Sequence, residues 1–214
     1  MSGILIRLAR LEDAIAIQNV ESVAFVAWRG RLFPKVLTDP EGYVAFAVET
    51  YRKIIDDKHS DQTWIVAEDI ATGDIAGAMR FRKVDDAGAQ PYTPMLSIPF
   101  GGDNTIRYFN ASTRMRCEVM GSRPHYLIQT VATRPNFQRC GVGSQLLSYL
   151  TNIADASNFA LYLQSSPIAL MLYQKHGFVE QGQTVLFPVA PGEEPDGEVV
   201  TVMVREPQYL DGVA

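Results

Sequence analysis

The stretch Gln138-Arg139-Cys140-Gly141-Val142-Gly143 decides how this chain is read. It follows the apolar run Tyr126-Leu127-Ile128-Gln129-Thr130-Val131-Ala132-Thr133, which reads as a β-strand. It runs into Ser144-Gln145-Leu146-Leu147-Ser148-Tyr149-Leu150, which reads as a helix. Strand, glycine turn and helix start together build an anion site. The first N–H groups of a helix have no intrahelical partner, and the helix dipole favours negative charge beside them. Gly141 and Gly143 carry no Cβ, so the backbone bends tightly and a phosphate group comes close. Arg139 adds a cation at the same place.

Three kinds of phosphate ligand use such a turn. A P-loop requires G-x-x-x-x-G-K-S/T, and no lysine follows Gly143. A dinucleotide fingerprint requires a third small residue where Leu146 stands, and an acidic residue about 20 positions on at a strand end; Asp155 comes too early and falls in the helix. The third ligand is the pyrophosphate of coenzyme A. Gln138-x-x-Gly141-x-Gly143 has the spacing Q/R-x-x-G-x-G/A, and the chain here resembles the GNAT superfamily of N-acetyltransferases. The surroundings extend the resemblance. Val131-Ala132-Thr133-Arg134-Pro135-Asn136-Phe137 stands where that family has an apolar strand end, a Pro turn and an aromatic residue. Ala160-Leu161-Tyr162-Leu163-Gln164 reads as the next strand. Ser166-Pro167-Ile168-Ala169-Leu170-Met171-Leu172-Tyr173-Gln174-Lys175-His176-Gly177-Phe178 is similar to the family's A-x-x-L-Y-x-x-x-G-F helix. The resemblance is strong over about residues 126–180 and weaker towards both ends.

The resemblance implies an acetyl-CoA-dependent N-acetyltransferase that works by direct attack in a ternary complex. It implies that backbone groups of Val131, Ala132 and Thr133 pair with pantetheine as with an added strand. It implies that Gln138, Arg139, Cys140, Gly141, Val142, Gly143 and Ser144 hold the pyrophosphate. Cys140 would then sit among phosphates, away from the thioester, and is no nucleophile. Ser166 stands where many members carry an Asn that touches the pantetheine arm, and a Ser hydroxyl still donates and accepts; Ser166-Pro167 also reads as an ordinary helix start. Tyr173 matches the family tyrosine beside the thioester sulfur. A phenol is protonated at neutral pH and can donate to a developing thiolate, so Tyr173 is the expected general acid; the alternative is a tyrosine packed beside Leu172 and Phe178. The cofactor strand carries no carboxylate from Tyr126 to Thr133. His125, at its start, is the expected base, with Glu68, Glu118 or an ordered water as alternatives; after Arg123-Pro124 it reads equally as a structural partner of the insertion. His176 reads as a helix C-terminal residue before a Gly177 cap.

Composition sets the outer limits. With 214 residues, 47% hydrophobic and 20% charged, the chain is an ordinary globular domain. A net charge of −5 without a basic stripe argues against nucleic acid and suits a cationic or neutral amine. No apolar run reaches the length of a membrane span. Met1-Ser2-Gly3-Ile4-Leu5-Ile6-Arg7 reads as the start of an intracellular, cytoplasmic protein, with Cys117 and Cys140 as free thiols. His59, His125 and His176 are scattered, so no metal site is expected. The expected partner is a small-molecule amine, with the protein a monomer or homodimer. A protein or peptide acceptor, or coenzyme A binding without turnover, is the alternative.

Outward from the decisive stretch, hydrophobic periodicity predicts a strand Ile4–Leu8, a helix Leu11–Val26, an irregular stretch Trp28–Pro40 and a helix Glu41–Asp57. Thr63–Glu68 and Ile75–Arg82 read as a hairpin around Thr72-Gly73-Asp74. Asp85–Pro124 is a long insertion before the cofactor strand, broken by Pro91, Pro94, Pro99, Gly101 and Gly102, with a helix over Thr105–Met120; it is either a substrate-facing lid or a peripheral decoration. Phe178–Phe187 and Glu198–Arg205 read as strands around a polar loop, Pro188–Gly197. The expected fold is a single α/β domain, GNAT-like, over residues 1–206, with a mixed, mostly antiparallel sheet flanked by helices, an insertion at about 85–124, and a poorly ordered tail, 207–214.

Overall fold

The computed structural model describes residues 3–85, 96–185 and 199–208. The breakers Pro91 and Pro94, the polar loop Pro188–Gly197 and the tail from residue 209 lie outside the described residues.

Seven strands form one sheet: β1 (Ile4–Leu8), β2 (Gln62–Asp69), β3 (Ile75–Val84), β4 (His125–Thr133), β5 (Ala160–Ser165), β6 (Val179–Val185) and β7 (Val199–Arg205). Their spatial order is β1-β2-β3-β4-β5-β7-β6. Only β4 and β5 run parallel; the other neighbours are antiparallel. The mixed, mostly antiparallel sheet expected from sequence is therefore present. Helices α1 (Ala14–Ala24), α2 (Val26–Leu32), α3 (Pro40–Asp56), α4 (Asp103–Met120), α5 (Val142–Ser157) and α6 (Leu170–Lys175) cover it.

Alternation along the strands sorts the core onto two faces. On one face, Trp64, Val66, Ala78 and Ala132 meet Ala14, Ile17 and Val20 of α1 and Ala47, Val48 and Tyr51 of α3. On the other, Ile65, Ala67, Met79, Ile128 and Leu161 meet Val142, Leu146, Leu147, Leu150 and Ala154 of α5, together with Tyr173 and Phe178. Three fully enclosed leucines of α5 anchor the helix, each worth about 1.5–3 kcal/mol of apolar burial.

Two parts of the chain fold differently from their sequence pattern. The helix expected from Leu11 to Val26 begins as a 3-10 turn over Leu11–Asp13 and stops at Phe25, whose φ of −118° and ψ of 33° leave the helical region. The chain then turns helical again as α2, with a further 3-10 turn over Pro34–Leu37, where an irregular stretch was expected. Tertiary packing makes α2: Trp28 and Leu32 pack with Tyr108 of α4 around Val200 of β7. Where it is described, the insertion is packed into the core and is not a peripheral decoration. Its helix α4 seats Met120, Met115 and Val119 against Tyr162, Val202 and Val204 and is part of the core.

Two features fix α5 and α6 against the sheet. A Cβ at Gly77 of β3 would lie 2.9 Å from the Ala132 carbonyl oxygen and 2.7 Å from Cγ1 of Val142, so glycine lets the start of α5 approach β3. Arg205 of β7 donates to both oxygens of Asp155 on α5 (2.7 and 2.8 Å) and, through Nε, to the His176 carbonyl at the end of α6 (3.1 Å). This pair is largely buried, with side chains 5% and 11% exposed. Asp155 therefore stands in α5 as the anchor of a buried guanidinium.

Gly77→Ala is expected to lower stability by about 1–3 kcal/mol through overpacking, read as roughly 2–4 °C of Tm per kcal/mol. Gly143→Ala, which meets only the tip of Leu172 at 3.1 Å, is the milder control. Asp155→Asn is expected to cost about 3 kcal/mol at neutral pH, because it leaves Arg205 buried without its counter-charge. The hydrogen bonds from Arg205 hold the Asp155 carboxyl below its ordinary 3.8. Its contribution is thus full above that value and is lost as pH falls through the lowered folded-state pKa. Thermal melts of both proteins should show their gap closing below about pH 4.

Candidate active site

The sheet opens where β4 and β5 part. Their parallel pairing covers His125↔Ala160, Tyr126↔Leu161 and Leu127↔Tyr162 only. Beyond it, β4 stays paired to β3 as far as Thr133, and β5 stays paired to β7 as far as Ser165. Each strand is thus held on its outer edge, and a wedge lies between them from Ile128 onward. A bulge widens it, since Arg80 pairs Thr130 while the next residue, Phe81, pairs Ile128, leaving Gln129 over. Backbone groups along this edge of β4 lack a β5 partner, which suits an extended ligand lying as an extra strand.

The turn after β4 stands at the mouth of the wedge. Pro135–Phe137 form one 3-10 turn, and Gln138 is extended. Arg139 (φ 62°) and Gly141 (φ 84°) are left-handed. The Gln138 side chain donates to the Thr133 carbonyl at 3.3 Å, and the Cys140 thiol to the Gln138 carbonyl at 3.5 Å. Helix α5 begins at Val142, two residues before the Ser144 start read from sequence, with Gly141 as its cap. Gly141 has no side chain to occupy the first N–H groups of this 16-residue helix, which leaves them for an anion. The Ser144 hydroxyl lies 2.9 Å from Nε2 of His176, tying the first turn of α5 to the end of α6. Burial, then the charge of Arg205, lowers the pKa of His176, so this ring is neutral at pH 7. As expected, it caps α6 ahead of Gly177, whose φ is 82°.

Tyr173 and Ser166 come to the same region from the β5 side. Tyr173 is 7% exposed and packs edge-on against Phe178 at 5.7 Å. Burial pushes its phenol up to about 12, so it carries its proton throughout the physiological range. Ser166 is extended ahead of the 3-10 turn Pro167–Ala169, and its hydroxyl makes no capping hydrogen bond.

His125 does not join them. It starts β4, six residues and about 20 Å along the strand from Val131. It is fully buried; Nδ1 donates to the Arg123 carbonyl at 2.7 Å, and Nε2 lies 3.4 Å from Arg116. Burial lowers its pKa. A ring so enclosed packs against the insertion through Arg123 and Arg116. Glu68 is ion-paired with Arg7 at 2.6 Å, in a cluster that also holds Asp13. Glu118 is exposed on α4.

One carboxylate escaped the sequence reading. Glu21 of α1 accepts hydrogen bonds from the hydroxyls of Tyr51 and Thr130 and lies within the field of Arg80. Burial, opposed by these partners, raises its pKa. The signal was there: Ala14, Ile17, Glu21 and Ala24 share one helical stripe, so an acidic residue stands where an apolar one belongs. Among the described residues no His/Cys/Asp/Glu cluster has the shape of a metal site, and no helix is long and apolar enough to cross a membrane.

Comparison with known proteins follows this geometry. Residues 24–178 match the Acetyltransferase (GNAT) family. No curated protein matches the chain in sequence. Among solved structures, a histone acetyltransferase HPA2 and related acetyltransferase from Corynebacterium glutamicum is similar at 23% identity and a TM-score of 0.59, covering 99% of this chain and 100% of that one. A mosquito arylalkylamine N-acetyltransferase like 5b gives 19% identity and a TM-score of 0.65, covering 95% and 100%. The PaiA N-acetyltransferase from Thermoplasma acidophilum, in complex with coenzyme A, gives 14% and 0.52, covering 95% and 99%. At these identities the similarity speaks for the fold.

Proposed function

The chain belongs to the GNAT family of acetyltransferases, and from that premise we propose that it transfers the acetyl group of acetyl-CoA to the primary amine of a small molecule, by direct attack in a ternary complex. The wedge between β4 and β5, with the start of α5 at its mouth, carries the reading. Backbone groups of Val131, Ala132 and Thr133 offer an open strand edge to the pantetheine arm. The N–H groups of Val142, Gly143 and Ser144 meet the pyrophosphate, with Gln138, Arg139, Cys140 and Gly141 shaping the turn around it. Ser166, whose hydroxyl makes no capping hydrogen bond, would contact the arm from the β5 side.

The thioester supplies an activated acyl group. The amine must shed a proton before its lone pair attacks the carbonyl carbon; the N–C bond forms, the C–S bond breaks, and the thiolate needs a proton. Tyr173 holds one at every physiological pH and gives it to sulfur. A small acceptor is supported by α2 and α4, which close over the β5–β7 side of the sheet through Trp28, Leu32 and Tyr108. A solved relative named for arylalkylamines points the same way. Thiol release with small amines and with peptides tests the reading; acetylation of peptides alone would refute it.

Tyr173→Phe is expected to keep the fold and coenzyme A affinity and to lose about 10²–10⁴-fold in turnover. Calorimetric titration beside steady-state kinetics checks both, and wild-type turnover would reduce Tyr173 to a packing residue. Cys140 is exposed, whereas Cys117 is half-buried. A bulky maleimide should label Cys140 first, and saturating coenzyme A should protect it. Labelling indifferent to coenzyme A, read by peptide mapping, would mean the pyrophosphate lies elsewhere.

A further inference from the structure

A polar cluster sits under the wedge on the face opposite α5. Tyr51 of α3 and Thr130 of β4 both hydrogen-bond the carboxylate of Glu21. Thr130 adjoins Val131, so Glu21 touches the strand one residue from the edge read as the donor site. The cluster also holds two donors that the fold leaves unspent. Nε1 of Trp64 and Nε of Arg80 are buried with no hydrogen-bond partner, and Trp64 is only 2% exposed. The Arg80 guanidinium lies 5.4 Å over the Trp64 ring, and that ring packs against Tyr51 at 4.8 Å. The other carboxylates of the interior are committed differently: Asp13 to Arg7, Asp155 to Arg205, and Asp69 to the Ala71 amide.

We propose that the Glu21 carboxylate is the general base of the transfer, held by Tyr51 and Thr130 beside the open edge of β4, where it takes the proton of the acceptor amine. The proposal rests on the reading of the wedge as the acetyl-CoA site. Protons balance. The ammonium gives one to Glu21, which later releases it to solvent. The nitrogen's second proton offsets the one Tyr173 passes to sulfur. An amide, a thiol and one free proton result. Arg80 assists by charge, since a cation beside the site disfavours an acceptor that stays an ammonium. The groups facing Glu21 are Tyr51 and Tyr43 from α3, Arg80 from β3 and Thr130 from β4; Arg29 of α2 acts on Tyr43. Burial of the carboxylate strengthens it as a base, because desolvation penalises the charged form.

Glu21→Gln keeps an oxygen for Tyr51 and removes the base. Thiol release would be followed against pH with 2-phenylethylamine, agmatine, spermidine and a hexapeptide with a free N-terminus. The variant should lose about 10²-fold or more in kcat/KM. It should also lose the acid limb of the pH profile, which in the wild type rises as Glu21 deprotonates. Coenzyme A affinity and Tm should hold, and Glu21→Asp should recover part of the rate. A structural role alone would move Tm and leave the acid limb in place. Wild-type kcat/KM with an unmoved limb overturns the proposal. Turnover of the peptide alone would sink the small-molecule reading and leave Glu21 to be judged on the peptide. A carbon-13 titration of the Glu21 carboxyl, assigned by its absence in Glu21→Gln, needs no acceptor at all. A midpoint above the ~4.3 of a free glutamate supports the proposal, and one at or below it overturns the proposal even if no amine is acetylated.

Discussion

Everything in this protein that bears on chemistry depends on β4 being fully paired on one edge and scarcely paired on the other. Its ladder with β3 runs the length of the strand, whereas its parallel ladder with β5 ends after three residue pairs. An unpaired strand edge inside a sheet is costly unless something else satisfies its amides. The fold keeps this edge open by holding β5 to β7 instead, and by placing the bulge at Gln129 where the strands diverge. An extended ligand with amide groups is what such an edge is shaped to receive.

An open wedge closes or frays unless its walls are braced, and the bracing is visible on both sides. Gly77 lets the first turn of α5 press onto β3. Ser144 and His176 link that turn to the end of α6. Arg205 then joins α5, through Asp155, to the His176 carbonyl. The helix start at the mouth, the helix carrying Tyr173, and β7 behind β5 are therefore one connected unit. An anion site of this kind gains its strength from donors already in place before the ligand arrives.

How much of this the sequence disclosed depends on how local each signal is. The strand, the Pro turn, the left-handed glycine and the helix start follow one another within about 20 residues, so short-range rules found them. Gly141 and Gly177, both left-handed, stand where turn chemistry asks for them. Helix α2 was missed because Trp28 and Leu32 are made helical by Tyr108 and Val200, far along the chain. His125 shows the opposite limit. It is a residue of β4 as expected, but position along a strand decides which end of the sheet a side chain serves, and nothing in the neighbouring residues reports that. Glu21 was overlooked because helical periodicity weighs the apolar residues of a stripe and passes over an acidic one among them.

The two groups proposed for proton transfer share a physical origin while lying on opposite faces of the sheet. Tyr173 is buried with α5 and α6, and Glu21 is half-buried on α1 against Tyr51 of α3. Both lose solvation, and both pKa values rise. For a phenol that starts near 10, the rise keeps the proton in place until a stronger base, a departing thiolate, is formed beside it. For a carboxylate that starts near 4, the same rise brings its basicity towards that of the amine it is proposed to deprotonate. In the proposed arrangement, desolvation on the two sides of one strand separates acid from base without any difference in the kind of environment. The difference lies in where each group's ordinary value stands relative to neutral pH. Such an arrangement needs the two groups to meet the same reacting centre from opposite sides, and only a gap in the sheet permits that. The broken ladder between β4 and β5 is that gap.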